Sequence, residues 1–158
     1  MIQGYVSQLR KALEEADAAD VIETRAPGYL ASVADEELDS ARFQGLVAEA
    51  RSLHEERDAG AALVVYERAL GCWRGPAFAD VPFESFGRSE SERLEELRLA
   101  AIAERVDCEL VLGRHERVVA ELESLVAEHP LRERFRAQLM LALYRSGRQV
   151  DALAEYQQ

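Results

Sequence analysis

From Asp39 to the end of the chain, apolar residues recur at the three-and-four spacing of amphipathic helices, and glycines or prolines break the pattern at intervals. The spacing predicts an array of helices. The first follows Asp39 as N-cap and carries Phe43, Leu46, Val47, Ala50 and Leu53 on one face, with Gly60 marking the turn after it. A second carries Ala62, Leu63, Tyr66, Ala69 and Leu70. The stretch 71–87, with Trp73, Gly75, Pro76, Phe78, Pro82, Phe83 and Phe86, is too apolar for a solvated linker. It is expected to be an ordered insertion whose three phenylalanines pack back over the helices.

A third helix is predicted over 89–112, apolar on two adjoining faces and therefore placed between neighbours. Gly113 ends it. Val118, Val119, Leu122, Leu125 and Val126 make the next helix up to Pro130, Phe135, Leu139, Ala142 and Leu143 another up to Gly147, and Val150, Ala152, Leu153 and Tyr156 a last one.

Gly113 and Gly147 are 34 residues apart, and each is followed by an arginine and a shorter helix. Thirty-four residues is the period of the tetratricopeptide repeat, in which a small residue lets two helices approach and a large one fills the gap beside it. With the glycines aligned, Val118 and Ala152 share the small-residue position, Leu122 and Tyr156 the large one, and Pro130 stands at the terminal proline. Ala62, Tyr66 and Ala69 reproduce the spacing earlier in the chain, so three helical pairs are expected.

Residues 1–34 lie outside this register. Val6, Leu9 and Leu13 form one helical stripe, and Val21–Thr24 and Tyr29–Val33 read as two short strands around Arg25-Ala26-Pro27-Gly28, where Gly28 is available for a positive φ. A helix and a hairpin of this size cannot bury a core alone, so they are expected to belong to a larger module or to pack on the array.

Composition changes the picture at few points. The 158 residues carry 19 basic and 30 acidic side chains, a net charge of −11, so a nucleic-acid contact has to come from a local basic segment. Split after Ala34, the charge is −2 in the first part and −9 in the second. No apolar run is long enough to span a bilayer, and the N-terminus lacks a secretory pattern, so no membrane partner is expected and the cytoplasm is the expected compartment. Cys72 and Cys108 lack metal-ligand spacing and read as reduced buried thiols. His54, His115 and His129 stand apart from any recognisable nucleophile, and no glycine-rich phosphate loop occurs. The pattern implies no metal, no cofactor and no enzyme.

Two blocks of residues carry a family resemblance. Val6-Ser7-Gln8-Leu9-Arg10-Lys11-Ala12-Leu13, followed by Glu23-Thr24-Arg25-Ala26-Pro27-Gly28-Tyr29-Leu30, resembles the recognition helix and wing of an OmpR-type winged helix. Trp73-Arg74-Gly75-Pro76, Glu92-Arg93-Leu94-Glu95-Glu96-Leu97-Arg98, Pro130-Leu131-Arg132-Glu133-Arg134 and Leu139 to Gln149 resemble the bacterial transcriptional activator domain of the Streptomyces antibiotic regulatory protein (SARP) family. The fold implied is all-α, a tetratricopeptide-like array over 35–158 that is cut short at its C-terminus or continues into an ATPase, preceded over 1–34 by the end of a winged helix. The sheet and two helices that support a recognition helix in the family are absent from this sequence.

By position in the motif, the resemblance implies base or phosphate contact for Ser7 and Gln8, phosphate contact for Arg10 and Lys11, and a wing contact for Arg25. Val6, Leu9, Leu13 and Tyr29 are expected to hold helix and wing together as core. The segment 131–148 holds Arg132, Arg134, Arg136, Arg145 and Arg148 against Glu133 alone, a local charge of +4. Those arginines either contact RNA polymerase or another protein, or pair with helical acids such as Glu116, Glu121, Glu123 and Glu128. The function implied is a transcriptional activator acting on promoter DNA, with the array touching RNA polymerase or a second protomer to form a homodimer. The alternative is a stand-alone helical adaptor that binds a protein and no DNA.

Overall fold

The computed structural model describes residues 2–16, 18–34, 37–79 and 85–157. Its elements are α1 (Ile2–Glu14), a single 3-10 turn (Ala19–Val21), β1 (Ile22–Arg25), β2 (Gly28–Ala31), α2 (Asp39–Glu55), α3 (Ala59–Leu70), α4 (Ser85–Val111), α5 (His115–Glu128), α6 (Glu133–Arg145) and α7 (Gln149–Tyr156). Two compact units result, Met1–Ala41 and Arg42–Gln158. The second is a helical array of the tetratricopeptide-like kind expected.

In the first unit β1 and β2 pair antiparallel, with Ile22 opposite Ala31 and Arg25 opposite Gly28. The turn runs through a cis Ala26–Pro27 bond, and Gly28 does not adopt the positive φ expected of it. Val6 is the buried residue of α1. Leu9 and Tyr29 are exposed and Leu13 is only partly covered, contrary to the core role expected of them. Thirteen helical residues and two four-residue strands present too little apolar surface to enclose more than one side chain.

The array has two adjoining cores. Phe43, Val47 and Ala50 of α2 meet Ala62, Tyr66 and Ala69 of α3 and Ala101 and Cys108 of α4, with Trp73 packed edge-on against Phe43. Val106 and Leu110 of α4 meet Val118 and Leu122 of α5, Phe135, Leu139 and Ala142 of α6, and Ala152 of α7. The long helix α4 contributes to both, as its two apolar stripes require.

Three turns share one geometry. Gly113 and Gly147 have φ of +77° and +80°, and Arg57 has +66°. The amide after each closes onto the carbonyl five residues before it: Asp58 to Leu53 at 3.0 Å, Arg114 to Glu109 at 2.9 Å and Arg148 to Leu143 at 2.9 Å. These are Schellman closures of α2, α4 and α6. The left-handed residue of the first pair is therefore Arg57. Gly60, expected at that turn, lies inside α3, whose N-cap is Asp58; its Oδ1 accepts from the Ala61 amide at 2.9 Å.

The insertion is shorter than expected, because α4 starts at Ser85. Phe78, with φ +57°, is 41% exposed instead of packed over the helices. Phe83 and the side chain of Phe86 lie outside the described residues.

Candidate nucleic-acid and protein interfaces

On α1, Val6 and Arg10 are one turn apart and face the hairpin. Arg10 donates from Nε and Nη2 to the Ile22 carbonyl at 3.1 and 2.8 Å, and from Nη2 to Thr24 Oγ1 at 2.9 Å. Its guanidinium also lies 5.8 Å from the Tyr29 ring centroid, within cation–π range. One side chain thus ties the helix to both strands. Arg10, expected as a phosphate contact, is largely occupied within its own unit.

Ser7, Gln8 and Lys11 are exposed on α1, and Arg25 is exposed at the end of β1. Ser7, Lys11, Arg10, Gln3, Glu14, Val6 and Tyr29 line an open cleft of about 540 Å³ between helix and hairpin. Lys11 and Arg25 form no ion pair among the described residues. Their charges are free for an external anion.

The arginine-rich segment is mostly neutralised internally. Arg132 pairs with Glu96. Arg134 pairs with Asp107 at 2.7 Å, and Arg148 with Asp151 at 2.7 Å and Glu123 at 3.6 Å. Of the partners anticipated for them, only Glu123 is used; Glu96 and Asp107 come from α4, which sequence spacing could not align with α6. Arg145 donates to the Leu110 carbonyl at 3.4 Å, and neither it nor Arg136 has an acidic partner among the described residues.

A polar network between helices escaped the sequence reading. Glu104 accepts a two-pronged contact from Arg51 (2.9 and 3.0 Å) and a hydrogen bond from the Tyr66 hydroxyl at 3.1 Å. Burial next to Glu104 pushes the Tyr66 hydroxyl well above its usual range, so it stays a donor. Its sequence signal is faint, because Glu104 is one acid among many at helical spacing.

Cys108 Sγ lies 3.4 Å from His54 Nδ1, and burial followed by the nearby Asp107 charge pushes the thiol up to about 11. Such a thiol is a poor nucleophile. Among the described residues no group of His, Cys, Asp and Glu is arranged to hold a metal, and no helix is long and apolar enough to cross a membrane.

Stacked helical pairs with left-handed closures and a small-over-large register define a tetratricopeptide-like repeat scaffold, preceded in the chain by a helix–hairpin unit. Residues 38–158 match the bacterial transcriptional activator domain. The chain belongs to that family, and its relatives place it among the SARP-type transcriptional regulators, which are not enzymes. It is 41% identical to the regulatory protein AfsR of Streptomyces griseus, matching 98% of this chain and 15% of that protein. It is 36% identical to the regulatory protein DnrI of Streptomyces peucetius, over 98% of this chain and 60% of that one. A solved structure of Mycobacterium tuberculosis EmbR, in complex with a low-affinity phosphopeptide, matches 99% of this chain and 42% of its own length, with a TM-score of 0.89 and 35% identity. The chain spans between 15% and 60% of the length of these relatives.

Proposed function

We propose that the chain is part of a cytoplasmic, DNA-binding transcriptional activator, in which α1 enters the major groove of promoter DNA, the β1–β2 hairpin acts as the wing, and the helical array contacts RNA polymerase. The observation that carries this reading is the Arg10 tie. It fixes helix and hairpin as one unit while Ser7, Gln8, Lys11 and Arg25 remain exposed. Gln8 supplies the amide that reads an adenine edge, Ser7 a short polar contact, and Lys11 and Arg25 neutralise phosphates. Arg10 becomes a positioning residue. On the array, Arg136 and Arg145 are the arginines of the +4 segment left for an acidic surface of polymerase.

Binding to promoter DNA over a salt series tests the reading, using the chain and a form extended by the supporting half of the winged helix. Preference for promoter over random duplex in the extended form is expected. If neither form shows it at any salt concentration, the array is an adaptor that works without DNA.

A further inference from the structure

The three turns that close α2, α4 and α6 line one edge of the array. Cys108 Sγ of α4 lies 3.4 Å from His54 Nδ1 of α2, and Arg145 of α6 donates to the Leu110 carbonyl of α4 at 3.4 Å, so the C-terminal ends of these helices stand side by side. Packed helices are spaced by about 8–10 Å. Two residues before the left-handed Arg57, Gly113 and Gly147 come Glu55, Val111 and Arg145, one per turn, and all three are exposed. Their exposure belongs to the repeat position. Glu55 is exposed with α4 packed against α2, and Val111 is 68% exposed with α6 packed against α4.

The chemistry of this row changes from one turn to the next. Glu55 and its neighbour Glu56 form no ion pair among the described residues, so the first turn is acidic. Val111 and Leu112 make the middle turn apolar, both of them exposed. Arg145, without an acidic partner among the described residues, makes the third turn basic. A row that runs acid, apolar, base at even spacing is its own complement when rotated by half a turn about its centre.

We infer that two copies of the chain pair through this edge about a two-fold axis, with Val111 against Val111, and Glu55 of each copy against Arg145 of the other. The contact is isologous and closes at two copies. The two charge pairs fix the register, because a shift by one turn would set a charge against Val111. Helix ends and turns cover little surface, so the dimer is a weak one. A polymerase surface that takes Arg145 competes with the second copy for it, whereas Arg136 lies outside the row. The inference goes beyond the activator reading and does not depend on it, since its readout is mass in the absence of DNA and polymerase.

The test is sedimentation velocity of the 158-residue chain from about 1 µM to about 500 µM, a range over which mass action reveals a weak dimer. At about 0.15 M salt the repulsion between two copies of net charge −11 is screened beyond about 8 Å, while pairs in contact persist. The weight-average mass is expected to rise toward twice the monomer. With helicity verified, Val111→Glu should weaken association by about tenfold or more, because two like charges then meet at the axis. Glu55→Arg and Arg145→Glu should each weaken it similarly, since either one turns both cross-copy pairs into repulsions. An equimolar mixture of these two should recover association, because each chain restores the pairs that the other has lost. A wild-type chain that stays monomeric overturns the inference. So does a Val111→Glu variant that associates like wild type, or a mixture no more associated than its two components.

Discussion

Gly113 and Gly147 occupy the same left-handed turn one repeat apart, with φ of +77° and +80°, and the arginine after each closes the preceding helix. Arg57 does the same work in the first repeat at φ +66°. A side chain in that region costs about 1–2 kcal/mol that glycine avoids.

Gly113→Ala and Gly147→Ala should therefore each destabilise the array by about 1 kcal/mol. No atom lies within 4 Å of a Cβ built at either position, so the cost is one of backbone alone. Arg57→Gly should be neutral to stabilising, by up to about 1 kcal/mol, the smaller gain reflecting the greater freedom of glycine in the unfolded chain. Urea titration of the three variants measures this, and equal destabilisation by Arg57→Gly and Gly147→Ala would contradict the shared turn.

The Cys108 thiol makes stability depend on alkaline pH. Burial raises it from 9.0 to about 11, so the folded chain holds a proton that the unfolded chain releases. The stabilisation from this proton is complete below pH 9 and is lost as pH rises toward 11. Cys108→Ala, which installs the residue that Ala142 provides one repeat later, should flatten the fall in unfolding free energy over that window. An unchanged profile would assign it to other groups.

Arg10 and Lys11 should separate by mechanism in a DNA-binding form of the protein. Lys11→Ala is expected to lower affinity evenly across sequences and to reduce the salt slope by about one, and Arg25→Ala to do likewise. Arg10→Ala loosens helix from hairpin and should raise the hydrogen-exchange rates of β1 and β2 even without DNA. A slope change for Arg10→Ala with unaltered exchange would return Arg10 to the phosphate contacts.

Surface ion pairs contribute little, about 0–1 kcal/mol each. Replacing Arg132, Arg134 and Arg148 by Gln should leave reporter activation near wild type. Arg136→Gln with Arg145→Gln should reduce it severalfold at unchanged helicity. Full activation by the double variant would remove polymerase contact from this face.

Local pattern carried much of the architecture. Apolar spacing located the six helices of the array, and the 34-residue interval between Gly113 and Gly147 placed two of its three turns, because a helix face and a positive φ leave their mark on neighbouring residues. The third turn was hidden, since Arg57 adopts a conformation that its side chain does not advertise, and Gly60 nearby looked like the better choice. The exposure of Leu9, Tyr29 and Phe78 was hidden as well: apolarity is a property of the residue, burial of what surrounds it. The site divides along the same line. Residue types and order were enough to place Ser7, Gln8, Lys11 and Arg25 on a helix and a hairpin and to mark the arginines of 131–148. Only the tertiary structure decided that Arg10 is spent on Ile22 and Thr24, that Glu96, Asp107 and Glu123 neutralise three of those arginines, and that Tyr66 and Glu104 meet between helices, because each of these contacts joins atoms many residues apart that packing alone brings within a few ångströms.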